Sequence, residues 1–377
     1  MVPRTAIRVV HVGKFYPPVA GGMERVLETL CEDGMPEVDS RVIVCNTSRA
    51  TIREDVRGVH VTRVGTVANA GSVPLAPSLA GEMRNADGDL MVIHEPNPWA
   101  LLSLTVAQVK PPLAVWFHSE VVRPALQYRL FYHPLASRAY ERARRIIVSS
   151  PLLVENAAAL APYRECVRVI PFGIDMSRWV PTPAVCDRAA AIRASVGSRP
   201  LVLFAGRMVP YKGVGVLLQA MVGLDAAAIL VGDGPSRAGW TRQSKELQLT
   251  ERVHFAGEVA HDELAALYHA CDIFVLPSVT RAEAFGYVQL EAMTCRKPVV
   301  STRLPSGVPW VNRHGESGLT VPPGDADALR RTLAELGRDA VLRARLGQGG
   351  RRRVEQEFTL EIMRRSAAAV YREAAES

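Results

Sequence analysis

Two glutamates separated by seven residues can bind opposite ends of one ligand. They are Glu283 and Glu291, in the stretch S-V-T-R-A-E-A-F-G-Y-V-Q-L-E-A-M-T-C-R-K that spans 278–297. A helix is predicted from Gly286 onward, with Glu283 in the loop before it and Glu291 inside it. Since a helix rises about 1.5 Å per residue, the two carboxylates cannot hold one atom. Either both are solvated surface charges, or they are buried and need partners, for which paired ribose hydroxyls are suitable.

Two cations lie five residues apart in a second loop. The segment F-A-G-R-M-V-P-Y-K-G-V places Arg207 and Lys212 between a strand and a helix. Two cations and a helix N-terminus together form a diphosphate clamp. The segment lacks the Gly-Lys-Ser/Thr of a Walker loop, which disfavours ATP hydrolysis. The next strand ends in V-G-D-G-P, where Asp233 marks either close backbone approach to a ligand or a plain turn.

Three further segments have weaker signals. Gly21 and Gly22 precede a helical run, where glycine backbone N–H groups can approach an anion or simply form a strand-to-helix turn. His118 ends the strand L-A-V-W-F-H, and a single histidine there is more often structural than catalytic. Asp87 and Asp89 precede their strand, so we expect turn residues and no metal site there.

Short β-branched runs alternate with helical patterns along the 377 residues, which predicts an α/β fold of two doubly wound domains. The predicted domains are 1–178 and 179–356, followed by a closing helix in 357–377 that packs on the first domain. A less regular linker, R-W-V-P-T-P-A-V-C-D, is expected after Asp175. The predicted strands are Ile7–Val12, Arg41–Cys45, Val59–Val64, Leu90–His94, Leu113–His118, Ile146–Ser149, Val167–Ile170, Leu201–Ala205, Ala228–Val231, Val253–Phe255, Ile273–Pro277, Pro298–Ser301 and Leu319–Val321.

Composition indicates a cytoplasmic protein, and its basic charge is compatible with an acidic ligand, a nucleic acid or an anionic membrane face without choosing among them. Apolar residues make up 48% of the chain, no apolar run approaches a membrane span, and the N-terminus lacks a signal-peptide pattern. Six scattered cysteines without a Cys-x-x-Cys pair argue against a zinc or redox site. The net charge of +7 comes without a nucleic-acid-binding module, so nucleic acid is not expected. The basic, aromatic stretch 125–145 is either a peripheral contact with an anionic membrane face or a solvated helix with its aromatic residues in the core.

The motifs together resemble the retaining glycosyltransferases of family four, also called glycosyl transferases group one. The resemblance spans essentially the whole chain. It implies the GT-B fold, in which two Rossmann-like domains face each other across a cleft. The motifs are A-G-G-M-E-R-V, P-F-G-I-D, G-R-M-V-P-Y-K-G, V-G-D-G-P, F-V-L-P-S, E-A-F-G-Y-V-Q-L-E-A-M and G-L-T-V-P-P-G-D.

By this resemblance, Arg207 and Lys212 bind the donor diphosphate and Glu291 binds the ribose. Glu283 and His118 are the catalytic residues that meet the transferred sugar. No metal or cofactor is required, because cations and helix termini stabilise the leaving diphosphate. The reaction retains the anomeric configuration, and the leaving phosphate takes the acceptor's proton. The other expected donor-binding residues are Gly22, Asp233, Phe285 and Gly286.

The sequence T-R-A-E-A-F-G with L-P-S-G-V-P-W-V resembles bacterial mannosyltransferases of lipopolysaccharide or exopolysaccharide assembly. GDP-mannose is therefore the leading donor, and a glycan or lipid-linked molecule is the acceptor. Ala284 stands where the family most often has glycine, and the loop after Ser306 lacks the usual Gly-Gly-x-x-Glu. The alternatives are a nucleotide-sugar epimerase, a non-catalytic sugar-binding protein and a two-domain dehydrogenase. The last is disfavoured because the first turn has no Gly-x-Gly-x-x-Gly.

Overall fold

The computed structural model describes residues 6–19, 21–32, 35–121 and 128–376, and the chain divides into two compact units. The first unit comprises Met1–Phe172 and Leu360–Ser377, and the second comprises Gly173–Thr359. The sequence predicted a boundary after residue 178. The division lies after Phe172, and the Gly173 carbonyl accepts a hydrogen bond from Tyr287 Oη of the second unit at 3.0 Å.

The first unit contains an eight-stranded sheet and a separate two-stranded ribbon. Its strands are β1 (Ile7–Val12), β2 (Val38–Cys45), β3 (Ile52–Val56), β4 (Val59–Val64), β5 (Ala68–Ala70), β6 (Val73–Leu75), β7 (Leu90–Glu95), β8 (Leu113–Phe117), β9 (Ala143–Val148) and β10 (Val167–Val169). The order in the large sheet is β10-β9-β8-β7-β1-β2-β4-β3, and only β3 pairs antiparallel to its neighbour. The order reverses at β1 and β7, which makes their carboxyl ends a ligand-binding position.

The second unit contains a six-stranded parallel sheet in the order β13-β12-β11-β14-β15-β16. Its strands are β11 (Leu201–Ala205), β12 (Ala227–Val231), β13 (Val253–Gly257), β14 (Ile273–Leu276), β15 (Val299–Thr302) and β16 (Gly318–Val321). The order reverses between β11 and β14. Strands buried on both faces read as continuous apolar runs, and every residue of L-V-L-F-A in β11 is buried.

Helices follow most of the strands in both units. They are α1 (Gly22–Cys31), α2 (Leu79–Asn85), α3 (Pro98–Ala107), α4 (His133–Arg142), α5 (Pro151–Asn156), α6 (Pro183–Val196), α7 (Val214–Met221), α8 (Arg237–Glu246), α9 (His261–Ala270), α10 (Val288–Thr294), α11 (Val308–Val311), α12 (Ala326–Arg338), α13 (Ala340–Glu357) and α14 (Leu360–Glu376). The predicted α/β class is confirmed. In the described part of the chain, no helix is long and apolar enough to cross a bilayer.

The linker prediction after Asp175 was wrong in part. Helix α6 begins at Pro183, so the second half of the segment is regular. Thr182 caps this helix, its side-chain oxygen accepting from the Val185 N–H at 3.3 Å. Proline is tolerated at the first helical position, because the backbone N–H there makes no hydrogen bond within the helix in any residue.

The closing helix α14 belongs to the first unit. Arg364 on α14 donates to the Thr29 carbonyl of α1 at 3.1 Å. Arg144, at the start of β9, donates to the Ala374 carbonyl of α14 at 3.4 Å. The C-terminal segment thus completes the first unit by both packing and hydrogen bonds.

The basic, aromatic stretch 125–145 has a mixed structure, and its residues 125–127 lie outside the described part. Tyr132 is buried, whereas Phe131 is 71% exposed in a short π-helical turn. Arg138 and Arg142 are exposed. Arg145 instead pairs with Glu373 at 2.8 Å. The stretch therefore contributes both to the core and to the surface.

Candidate active site

Three loops at the carboxyl edge of the second sheet hold the residues singled out from sequence. Arg207 and Lys212 follow β11, Asp233 follows β12 and Glu283 follows β14. β11 is hydrogen-bonded to both β12 and β14, so the three loops leave neighbouring strands. This edge is where ligands bind in open α/β sheets.

Lys212 and Glu283 form a buried ion pair. The Lys212 Nζ lies 2.5 Å from Glu283 Oε2, and the same oxygen accepts from Ser278 Oγ at 3.0 Å. Burial, the largest single influence, opposes the charged ammonium, but Glu283, Tyr211 and Glu291 together outweigh it and raise the pKa of Lys212. Gly213 has φ +69°, and a Cβ there would lie 2.0 Å from the Pro277 carbonyl oxygen, so only glycine permits this approach of the two loops.

Glu291 is also buried and has a tyrosine partner. It lies inside α10 and is 1% exposed. Tyr268 Oη, on α9, donates to Glu291 Oε2 at 2.8 Å. Burial, followed by the Glu291 charge, raises the pKa of Tyr268 well above its ordinary value, so the phenol stays protonated as a donor. The Trp179 ring meets Tyr268 edge-on at 5.2 Å and fixes its position.

The turn between the two glutamates is sterically restricted. Gly286 has φ +72°, and a Cβ there would lie 2.5 Å from the Leu276 side chain. Gln289 Nε2 donates to the Phe285 carbonyl at 3.0 Å within this turn. The helix therefore begins at Val288 and not at Gly286 as predicted, while Glu283 lies in the loop and Glu291 in the helix as predicted.

Asp233 and Arg207 are exposed, unlike the buried residues Lys212, Glu283 and Glu291. Asp233 accepts from the Gly234 N–H at 2.6 Å and from Arg237 Nη1 at 2.8 Å, and these two groups, in that order, lower its pKa. Its carboxylate therefore stabilises its own loop. Arg207 is exposed in the loop after β11. Within the described ranges, no group of three or more His, Cys, Asp or Glu is placed to hold a metal ion.

In the first unit, His118 is the end of a row of three buried imidazoles. His11 Nδ1 lies 3.0 Å from His94 Nε2, and His94 Nδ1 lies 2.9 Å from His118 Nε2. Burial lowers the pKa of both His11 and His118 to about 3. Burial, then the neighbouring imidazoles, lowers the pKa of His94 well below its ordinary value. All three rings are therefore neutral near pH 7.

Gly22 is the first residue of α1, also in the first unit. A Cβ on Gly22 would meet nothing within 4 Å. A Cβ on Gly21 would lie 2.1 Å from Oε2 at the end of the flexible Glu24 side chain, which can move aside. The open space at Gly22 leaves the start of the helix accessible.

Residues 20–178 match the family described as Glycosyltransferase Family 4, and residues 187–353 match Glycosyl transferases group 1. The chain is 32% identical to D-rhamnosyltransferase WbpZ of Pseudomonas aeruginosa over 357 residues, covering 94% of this chain and 92% of the relative. The chain is a glycosyltransferase of these families. The family inferred from the sequence is confirmed.

Two further comparisons agree with this assignment. The glycosyltransferase is 28% identical to O-antigen chain mannosyltransferase C of Escherichia coli over 364 residues, covering 95% of this chain and 96% of the relative. Sucrose-phosphate synthase from Thermosynechococcus elongatus has a similar structure, with a TM-score of 0.80 at 23% identity, covering 98% and 100% of the two chains. The predicted GT-B fold class is confirmed.

Several residues of this glycosyltransferase's candidate site were missed by sequence reasoning. Ser278 belongs to the motif F-V-L-P-S but was given no role, and Tyr268 has no distinctive sequence pattern, yet they donate to Glu283 and Glu291. His11 precedes the end of β1, and only the pairing of distant strands brings it close to His94. The sequence contained one indication of both histidines: each is a polar residue in an apolar strand, near the carboxyl end of that strand.

Proposed function

We propose that this glycosyltransferase retains the anomeric configuration and transfers mannose from GDP-mannose to a glycan or lipid-linked acceptor of cell-surface polysaccharide. The observation that carries the proposal is the buried Lys212–Glu283 pair, followed after seven residues by the buried Glu291, at the carboxyl edge of the second sheet. Two relatives, a D-rhamnosyltransferase and an O-antigen chain mannosyltransferase, support the substrate class.

The donor diphosphate would bind at the loop after β11. Arg207 is exposed there and supplies a cation with five N–H donors. Lys212 supplies a second positive charge immediately before α7, whose N-terminal N–H groups also favour anions. This arrangement stabilises the negative charge that develops on the leaving diphosphate. In this proposal the protein's own groups do so, and the reaction needs no metal ion.

The two glutamates would bind the two ends of the donor. Glu283 Oε2 already accepts from Lys212 and Ser278, so its other oxygen is the one that accepts from sugar hydroxyls. Glu291 is held by Tyr268 and meets the ribose hydroxyls. The opposite ends of the nucleotide sugar are then recognised by carboxylates whose orientations are fixed before binding, which reduces the entropy lost on binding.

The chemistry proposed is attack on the same face from which the diphosphate leaves. The bond from the anomeric carbon to the phosphate oxygen breaks, and the acceptor hydroxyl forms the new bond on that face. The leaving phosphate oxygen takes the hydroxyl proton, so no protein base is required. His118 meets the transferred sugar, and Gly22 offers a backbone N–H to the phosphate.

The acceptor side of the proposal includes peripheral contact with the cytoplasmic membrane face. Leu130 and Phe131 are 59% and 71% exposed, and Arg138 and Arg142 are exposed nearby in sequence. Apolar tips next to cations suit an anionic bilayer surface. Sedimentation with anionic vesicles tests this: the parent binds, and Phe131→Ser with Leu130→Ser binds less. Equal sedimentation of both proteins contradicts the contact.

A thermal-shift screen of nucleotide sugars tests the donor, because a ligand that binds only the folded state raises the Tm. GDP-mannose is expected to give the largest shift and UDP-sugars little or none. A shift with a UDP-sugar and none with GDP-mannose contradicts the donor. Interconversion of a nucleotide sugar without any acceptor indicates an epimerase. Binding without turnover on any acceptor indicates a sugar-binding protein.

A further inference from the structure

The row of three imidazoles follows from the strand register of the first sheet. His11 on β1 is paired with Val92 on β7, and His94 stands two residues beyond Val92. His94 is paired with Trp116 on β8, and His118 stands two residues beyond Trp116. Residues two apart project from the same face of a sheet. The three rings therefore lie on one face, each one step closer to the carboxyl edge.

The two hydrogen bonds in this row link the tautomers of the three rings. A neutral imidazole has one N–H and one acceptor nitrogen. With all three rings neutral, each bond needs one donor and one acceptor. Only two patterns satisfy both bonds: all three rings protonated on Nδ1, or all three protonated on Nε2. His118 cannot change its tautomer unless His94 and His11 change with it.

The buried end of the row distinguishes the two patterns. His11 Nε2 is buried and has no hydrogen-bond partner among the described residues. In the Nε2–H pattern this atom is an N–H donor without an acceptor, a rare and costly arrangement in a protein interior. In the Nδ1–H pattern it is a bare acceptor nitrogen. The N–H groups of His11 and His94 then donate along the row toward His118, whose own Nδ1–H lies outside both bonds.

We propose that His94 and His11 are positioning residues that hold His118 as its Nδ1–H tautomer, so that His118 meets the transferred sugar as a hydrogen-bond donor. The inference rests on the proposed function for the identity of the ligand, and on geometry for the tautomer. An imidazole fixed in this way donates to an oxygen of the sugar and takes no proton from the acceptor. That agrees with a reaction in which the leaving phosphate takes the proton.

A pair of substitutions at His94 tests the positioning role. His94→Phe removes both hydrogen bonds but keeps a ring against Trp116, whose ring lies 5.7 Å away at an interplanar angle of 9°. Misplacement of His118 is expected to lower kcat by about 10- to 100-fold, with little change in donor KM. His94→Asn keeps an N–H near the position of Nδ1 and recovers much of the loss. A kcat for His94→Phe within about twofold of the parent overturns the proposal.

A matched control uses a histidine of the same sheet outside the row. His60 on β4 has a side chain that is 72% exposed. His60→Phe is expected to leave kcat and KM unchanged. The GDP affinity of His94→Phe, measured by calorimetry, should equal that of the parent. A fall in GDP affinity as large as the fall in kcat would indicate general damage and overturn the positioning role.

Nitrogen-15 NMR of the histidine-labelled full chain tests the tautomers without any turnover. The expected spectrum shows His11, His94 and His118 all protonated on Nδ1 in the ligand-free parent. His118 protonated on Nε2, or three independent tautomers, overturns the inference. The NMR readout needs no substrate. If the parent protein transfers no sugar, the proposed function is refuted, whereas the tautomers of the three histidines are still tested by the spectrum.

Discussion

The Lys212 ammonium lies 2.5 Å from the Glu283 carboxylate, and both side chains are about nine-tenths buried, with 11% and 9% exposed. The pair joins the loops that follow two neighbouring strands, β11 and β14. Two buried charges tolerate this position only because each neutralises the other. In the proposed function Lys212 binds the diphosphate and Glu283 binds the sugar, so adjacent parts of the donor would be recognised by residues that also stabilise each other.

Lys212→Met is expected to destabilise the protein, because Glu283 is left buried without its counter-charge. The expected loss is about 3 kcal/mol in the free energy of unfolding. Adding Glu283→Gln should restore most of that stability without restoring donor binding. Guanidinium unfolding monitored by fluorescence measures the difference. As a control, Arg188→Met breaks an exposed pair with Glu263 and should leave the unfolding midpoint nearly unchanged. A Lys212→Met protein as stable as the double variant contradicts the pairing.

Tyr268→Phe is expected to weaken nucleotide binding while the fold persists. The substitution removes only the Oη that donates to Glu291 Oε2 at 2.8 Å. A hydrogen bond to a charged group contributes about 1.5–3 kcal/mol, which corresponds to at least a tenfold higher Kd for GDP. Calorimetric titration with GDP measures this Kd. Tyr163→Phe on the first unit is the matched control and should bind GDP like the parent. An unchanged Kd in Tyr268→Phe would show that Tyr268 does not position Glu291 for the ribose.

Glu95 is expected to make stability depend on pH. Burial raises the pKa of this carboxyl to about 7, and Tyr140 Oη donates to it at 2.6 Å. The folded protein therefore keeps a proton that the unfolded chain releases at lower pH. Stability from this group is lost as the pH rises through the window between the unfolded pKa of about 4.5 and the folded value near 7.

The variant Glu95→Gln isolates this effect, since the buried histidines are common to both proteins. Its Tm relative to the parent should rise as the pH increases from about 5 to about 8. Thermal unfolding of both proteins across that range provides the measurement. A Tm difference that stays constant with pH would mean that Glu95 ionises in the folded protein as it does in the unfolded chain.

Chelation should leave the transfer reaction intact. If Arg207, Lys212 and the N-terminus of α7 supply the stabilisation of the leaving diphosphate, excess EDTA changes the initial rate by less than about twofold. Lys212→Ala should lower the rate strongly in the same assay. Loss of activity in EDTA that returns on adding Mg²⁺ would contradict the metal-independent proposal.

The strand pattern and the site loops could be predicted from sequence because buried parallel strands read as continuous apolar runs. β1 and β11 have the predicted limits. β4 has them too, although its V-H-V-T-R-V alternates, with Val59 and Val61 buried and His60 exposed. β3 was missed, since its residues I-R-E-D-V are mostly exposed and charged on an antiparallel edge strand. A local apolar pattern predicts a strand that is buried on both faces. It does not predict an edge strand whose side chains face water.

The partners of the site residues could not be predicted, because they depend on contacts between distant segments. Nothing adjacent to Glu291 in sequence indicates that Tyr268 donates to it. The row from His11 to His118 requires the register of three strands. Asp233 was expected at the donor, whereas the structure shows its carboxylate bonded to its own loop, and its contact with a donor stays a prediction.

The most direct test of the central claim is proton NMR of the reaction with GDP-mannose and a panel of lipid-linked and glycan acceptors. The predicted result is release of GDP together with a new mannoside whose anomeric configuration is that of the donor. Glu283→Gln should lower the rate by about 100-fold or more in the same spectra. A product of inverted configuration, or no transfer to any acceptor with any nucleotide sugar, would contradict the claim.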